Sequence, residues 1–393
     1  MSYKPIYLDY HATTPCDRRV AEVVMEYMTE KFGNASSVDH IFGDEADLAV
    51  KQAAQQVADL VGARFNEVIF TAGATESLNL VLQGLPTQGK KRIAVLPLEH
   101  KAVLDTCHFL EKEGLAEIIY LQVDPKGRLD LEHLEVVCDQ GLSIVCVMAA
   151  NNEIGNIYPI EQVGAIAQKY NIPFLCDGSQ AVGKIPINCR EWGITHLTIS
   201  GHKLYAPKGI GALVIRKGNF LNPLIHGGGQ QLGRRSGTIN VSGIVGLGEA
   251  CRLRQLEMEV DELEIALKRD RLQVLLQESI PDLVVNGDMN NRLAGSLHIS
   301  IPHIPNKAVI ARIRHQLAIS TGSACTSGVE TPSHVLRAIG LDENLIMGVL
   351  RIGVGKFVSD DDIETAHRIL LQSVSAIKES LPYNSEQQFS LWK

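Results

Sequence analysis

The sequence predicts an α/β fold: a largely parallel sheet covered by helices on both faces, with a smaller second domain attached. Three observations carry this. Short apolar runs recur, and each ends at a polar or glycine-rich switch: "EVIFTAGATES", "RIAVLPLEH", "SIVCVMAANNE", "IPFLCDGSQ", "HLTISGHK" and "IGALVI". Helix-period stretches lie between them, such as "EADLAVKQAAQQVADLV" and "IEQVGAIAQKY". From about Arg252 the pattern changes. A long charged segment carries Leu256, Val260, Leu263 and Leu267 at helical spacing, which predicts core or interdomain packing rather than a face for a partner helix. Beyond it, "SLHISI" and "VLRIGV" read as strands and the regions near 306–317 and 360–380 as helices, forming the second domain.

In such folds functional groups gather beyond the carboxyl ends of the strands, so each strand end is informative. "FTAGATESLNLVLQGL" is a strand, a small-residue turn and a helix start. Thr75 and the first helical amides suit a phosphate through free N–H groups and the helix dipole, or form a plain capping box with Glu76. The glycine spacing there fits neither a dinucleotide fingerprint nor a P-loop. "RIAVLPLEH" ends in His100, suited to stacking on a flat cofactor or moving protons, or to a structural role. "IPFLCDGSQ" ends its strand in Asp177, a carboxylate that needs a positive partner: a protonated ring nitrogen, a salt bridge or a helix N-terminus. "HLTISGHKLYAPKGIG" places Ser200, His202 and Lys203 just past a buried strand, where a lysine is either a surface residue or a Schiff-base former with a depressed pKa. Together these residues are the inventory for pyridoxal phosphate, for which a protein supplies orientation and the cofactor supplies chemistry.

Bulk properties narrow the classes. The 393 residues are 45% apolar and 21% charged, enough to bury a sizeable core. The net charge of −8 argues against direct nucleic-acid binding and against an anionic membrane surface. "MSYKPIYLDY" lacks the pattern of a signal peptide, and no apolar run approaches the ~18 residues of a membrane span. The eight cysteines form no CxxC pair and no metal spacing, so free thiols in a reducing cytoplasm are expected, with no metal. One cysteine stands apart: Cys325 in "STGSACTSG", a stretch with nothing large enough to bury a thiol.

In order along the chain, "YLDYHATTP", "FGNASS", "AGATES", "EHKAVLDT", "NNEIG", "SGHKLYAPKGIGAL", "GGGQQLGRRSGT" and "GSACTS" resemble the motifs of cysteine desulfurases of the NifS/IscS type, pyridoxal-phosphate enzymes of the class-V aminotransferase family. The resemblance runs from about Ile6 to Phe357. It implies the aspartate-aminotransferase fold (fold type I), with a large domain built on a mostly parallel seven-stranded sheet and a smaller α+β domain. On this chain that predicts a cofactor domain over 15–259, and a small domain from 1–14 and 260–393 carrying the cysteine loop at about 320–332. It implies a homodimer that takes sulfur from L-cysteine, leaving L-alanine and an enzyme persulfide for a sulfur-acceptor protein, in iron–sulfur cluster assembly or nucleic-acid thiolation.

The resemblance also implies roles. Lys203 anchors the cofactor, Asp177 pairs with its ring nitrogen, and His100 stacks on the ring and serves as acid–base. Ala74, Thr75, Ser200 and His202 hold the phosphate, completed by Thr238 of the other subunit. Asn152 and Gln180 flank the phenolic oxygen. Arg351, with Asn34 and Asn152, binds the substrate carboxylate, for which a planar guanidinium is suited. Cys325 is the nucleophile, and a small-residue loop can swing where a helix could not. A cysteine or selenocysteine β-lyase and a catalytically silent sulfur carrier or scaffold are the alternatives. The chain departs from the usual pattern at Ala35, at Ala206, at Gln231 and Leu232, from Gly328 to Thr331, and in its short tail.

Overall fold

A computed structural model describes residues 4–86, 89–321 and 333–380. The strands are β1 (Ile6–Tyr7), β2 (Val68–Thr71), β3 (Lys91–Val95), β4 (Ala116–Tyr120), β5 (Ile144–Cys146), β6 (Phe174–Asp177), β7 (His196–Ser200), β8 (Gly211–Ile215), β9 (Val284–Val285), β10 (Ser296–Ser300), β11 (Leu317–Ala318) and β12 (Val349–Gly353). The helices are α1 (Arg18–Thr29), α2 (Ile41–Val61), α3 (Ala74–Gly84), α4 (Lys101–Lys112), α5 (Leu131–Asp139), α6 (Ile160–Lys169), α7 (Val241–Ser279), α8 (Asn306–Ile313), α9 (His334–Ala338), α10 (Glu343–Met347) and α11 (Asp360–Ser380).

Seven strands form one sheet in the order β2-β8-β7-β6-β5-β3-β4, in which β8 alone runs against the others. Its strands read as continuous apolar runs because both faces are buried. Ile93, Val95, Ile144, Cys146 and Leu175 point into one core with Leu78, Leu82 and Val103 of α3 and α4. Ala94, Val145, Phe174 and Cys176 point into the other with Val57, Leu134, Val163 and Leu247 of α2, α5, α6 and α7. α2 and α7 meet through small residues: a Cβ added at Gly248 would stand 2.7 Å from the Cβ of Ala53.

A separate core packs the antiparallel sheet β12-β10-β9 against α8, α11 and the second half of α7, through Leu297, Ile299, Ile352, Leu272, Leu276, Val309 and Leu370. Leu8 and Tyr10 belong to it, and β1 pairs in parallel with β11. The helix expected near 306–317 ends at Ile313. α7 runs unbroken for 39 residues. Its first half buries Ile244, Leu247 and Cys251 in the sheet core, its second half Ile265, Leu272 and Leu276 in the other.

The expectation for the apolar stripe on this helix is corrected. Leu256 is 69% exposed, Val260 62%, Leu263 64% and Leu267 63%, so none of them is core or interdomain packing. Periodicity finds an apolar face but does not say what the face meets. Here a second apolar face, Ile265 and Leu272, reaches the core instead.

Candidate active site

The carboxyl ends of β6 and β7 meet the turn at residues 9–14 and the loop after β5. Lys203 follows β7 in a short 3-10 turn, Gly201–Lys203. Its Nζ donates to the carbonyl of Ala12 at 2.8 Å and to that of His11. Burial, and then the cations Lys184 and Arg351, lower its pKa to about 7. A lysine so placed keeps about half of its amine unprotonated, hence nucleophilic, near neutral pH.

Asp177 is buried at the end of β6. Its Oδ1 accepts from Ser179 N at 2.9 Å, from Thr198 Oγ1 at 2.9 Å and from Ser179 Oγ. All three donors address one oxygen, so Oδ2 receives no hydrogen bond among the described residues. His100 caps α4, its Nδ1 accepting from Ala102 N at 3.1 Å. That bond leaves the neutral ring's proton on Nε2. The ring is exposed by area yet crowded enough that desolvation lowers its pKa, against the opposing charge of Asp177. Gln180 is buried: Oε1 accepts from Lys184 Nζ at 3.1 Å, and Nε2 donates to the His11 carbonyl at 2.9 Å.

The helix start after β2 is open. Gly73 precedes α3 with φ 155° and no side-chain cap. The amides of Ala74, Thr75 and Glu76 have no acceptor among the described residues, as the first turn of a helix leaves them. The capping-box alternative does not form, because Glu76 accepts from Ala72 N at 2.8 Å and pairs with Arg235 at 2.8 Å. Ser200 sits beside this turn: it pairs with Gly211, whose added Cβ would lie 2.7 Å from the Cα of Gly73. His202 Nδ1 is hydrogen-bonded to Thr13 Oγ1 at 3.1 Å, and burial lowers its pKa to about 4.

Arg351 on β12 reaches the same place from the second core. It is buried, with Nη2 donating to Asp9 Oδ1 at 2.9 Å and Nη1 to the Asn152 carbonyl at 3.1 Å. Its Nε has no partner among the described residues. Asn152 and Arg351 are thus brought together. Asn34 is not joined to them: it is exposed, and its Oδ1 accepts from Ser36 N at 3.0 Å. Thr238 is exposed and joins no other site residue among the described ones. Gln231 clasps the edge strand β2, with Oε1 accepting from Phe70 N at 2.7 Å and Nε2 donating to Phe70 O at 2.8 Å.

Cys325 lies outside the described residues, within 322–332. The residues flanking that span are anchored at the site. Ser320 and Arg351 exchange backbone hydrogen bonds of 3.1 and 2.7 Å. Ser333 Oγ donates to Glu153 Oε2 at 2.6 Å, and His334 Nε2 donates to the Glu99 carbonyl at 2.8 Å. Glu153 adjoins Asn152, and Glu99 adjoins His100.

Four site residues were not singled out from sequence. His11 is buried with Nε2 unpartnered among the described residues, and burial holds its pKa well below the usual imidazole range. Lys184 is depressed to about 8 by burial. Asp9 is the ion partner of Arg351. Glu99 is fully buried, and desolvation with the nearby Asp177 pushes its carboxyl well above the usual range. His11 and Asp9 stand inside "YLDYHATTP" and Glu99 opens "EHKAVLDT", so those motifs carried the signal for all three; nothing local marks Lys184.

The class-V aminotransferase family model matches residues 6–365. The cysteine desulfurase IscS of Rickettsia typhi is 44% identical over 384 residues, spanning 96% of this chain and 93% of that protein. Among solved structures, a NifS-like protein superposes with a TM-score of 0.88 at 33% identity, covering 95% of this chain and all of the other. SspA, solved in complex with cysteine, gives a TM-score of 0.79 at 34% identity, covering 90% of this chain and all of its own.

Proposed function

The chain belongs to the class-V aminotransferases and, among them, to the cysteine desulfurases; from that premise we propose how its own residues serve the reaction. The family uses pyridoxal phosphate, and the donor set here fits that group. Lys203 offers a buried amine depressed to about 7. Asp177 keeps Oδ2 open for a ring N–H, and the first amides of α3 stand open for a phosphate. When bound, the cofactor supplies an electron sink for bonds at the substrate's carbons.

Lys203 would hold the cofactor, its unprotonated fraction near neutral pH supplying the amine that attachment needs. Asp177 keeps the ring nitrogen protonated. Ala74 and Thr75 hold the phosphate through backbone N–H groups, joined by Ser200 and His202, with Thr238 reaching in from a second subunit. Gln180, its amide oriented by Lys184 and His11, and Asn152 would flank the phenolic oxygen. His100, with its Nε2 proton, would stack on the ring and serve as acid–base. The guanidinium of Arg351 takes the carboxylate of L-cysteine, drawing on its unused Nε and on exchange with Asp9. Asn34 would join that contact once its Oδ1 leaves the amide of Ser36.

Cys325 takes the sulfur. Its thiolate attacks the sulfur of L-cysteine; an S–S bond forms and the substrate's C–S bond breaks. The electron pair stays with the carbon, which takes a proton to give L-alanine, and the persulfide remains on the enzyme. Among the described cysteines every thiol is pushed up, chiefly by burial, which disfavours the thiolate. That supports assigning the reactive sulfur to Cys325. The persulfide then passes to an acceptor protein, in iron–sulfur cluster assembly or nucleic-acid thiolation. No helix among the described residues is long and apolar enough to cross a membrane. The free thiols among the described residues suit a reducing cytoplasm.

The observation that carries this reading is Lys203, a depressed amine beside an Asp177 carboxylate with one oxygen open. Borohydride reduction of the purified enzyme followed by peptide mapping tests it. The cofactor mass is expected on the Lys203 peptide; a label on another lysine contradicts the assignment.

A further inference from the structure

The solvent face of α7 carries an apolar seam that neither core nor the candidate site uses. We infer that this seam is a docking surface for a basic amphipathic helix of another protein. The inference is independent of the roles proposed for the active-site residues.

The seam has coiled-coil spacing. Leu256, Val260, Leu263, Leu267, Asp270 and Val274 follow intervals of four and three, the d-a-d-a-d-a positions of a heptad. Five of the six are apolar, and all five are exposed. Ile265 and Leu272 fall at the opposite, f, position and are buried, so the fold holds the helix by its back and presents the seam outward. Exposed apolar stripes of this length mark binding surfaces more than chance exposure does.

Charge decides the occupant. The positions beside the seam hold Glu257 and Glu264 on one side and Glu259 on the other. Glu259 and Glu264 make no ion pair among the described residues, and Asp270 places a further acid within the seam. The one flanking cation, Arg271, is engaged with Glu364 at 2.9 Å. A second copy fits poorly. A parallel pair would set Glu259 against Glu264, and an antiparallel pair centred on the seam would set Glu264 against Glu264 of the second copy; like charges in these positions oppose association. A partner helix with Leu or Ile on its seam and Lys or Arg beside it would satisfy both the apolar stripe and the acids.

The test uses the holoenzyme and two synthetic fluorescent helices of about three heptads, alike in a Leu/Ile seam but flanked by Lys in one and Glu in the other. Anisotropy titration should show saturable binding of the Lys helix and at least about tenfold weaker binding of the Glu helix. Leu263→Gln with Leu267→Gln should weaken the Lys helix by about tenfold or more. Glu259→Lys with Glu264→Lys, a change confined to exposed positions, should reverse the preference. Desulfurase turnover should be the same in all forms. Equal binding of both helices, binding indifferent to the seam variant, or no binding of either helix would overturn the inference. So would wild-type self-association beyond that of the Leu263→Gln/Leu267→Gln form, which would assign the seam to a second copy.

Discussion

Lys203 combines burial with cationic neighbours, and Lys184 is the first of those neighbours. Replacing Lys184 with Met removes a positive charge, so the Lys203 pKa should rise from about 7. Less neutral amine would then be present at neutral pH. Uptake of pyridoxal phosphate by apo-enzyme, followed by absorbance against pH, should show its midpoint move upward and its neutral-pH rate fall by about threefold. An unchanged midpoint would remove Lys184 from the account. Arg351→Lys keeps the charge and loses the fork, so KM for L-cysteine should rise by about tenfold or more while cofactor content holds. Lost cofactor with unchanged KM would place Arg351 elsewhere. Lys203, Asp177 and His100 were legible because each ends an apolar run. Lys184 and Glu99 were not, because their importance lies in burial and in groups the fold brings to them: Lys184 acts on the Lys203 amine, and the Glu99 carbonyl receives His334. Asn34 resembles its family counterpart in sequence, but its side chain is engaged in its own turn.

Among the elements, α9 fixes one end of the span that holds Cys325. Ser333 caps it, accepting from Val335 and Leu336 N–H, and also donates to the buried Glu153. Ser333→Ala should cost about 1–2 kcal/mol in urea unfolding, through the lost cap and an acid left without a donor. It should also slow sulfur transfer while leaving the cofactor bound. Gly248→Ala tests the α2–α7 crossing: the new methyl meets Ala53 at 2.7 Å. Overpacking there should cost about 1–3 kcal/mol, read from the same unfolding curve. The buried central strands were plain in the sequence because they are apolar on both faces. β4 was absent from the predicted runs: it lies at the sheet edge, with Glu117 and Tyr120 exposed. α7 was legible as a helix but not in its orientation, since it carries two apolar faces and only contacts with the core distinguish them.

At the scale of the molecule, the candidate site is assembled from residues 9–14, the strand ends between 71 and 203, and Arg351. That closure follows from the second core and from β1 pairing with β11, neither of which a local pattern announces. Exposed Thr238 and the resemblance of "RRSGT" argue for a homodimer that completes each phosphate site. Light scattering at assay concentration should give the mass of a dimer, and an active monomer would contradict this. The most direct test of the account is one turnover with sulfur-labelled L-cysteine, followed by mass spectrometry of wild type and Cys325→Ala. The account predicts one added sulfur on the Cys325 peptide of wild type. It predicts that the variant, still yellow and still binding L-cysteine, gains no sulfur and releases no alanine. Extra sulfur on another cysteine, or normal alanine release by Cys325→Ala, would contradict it.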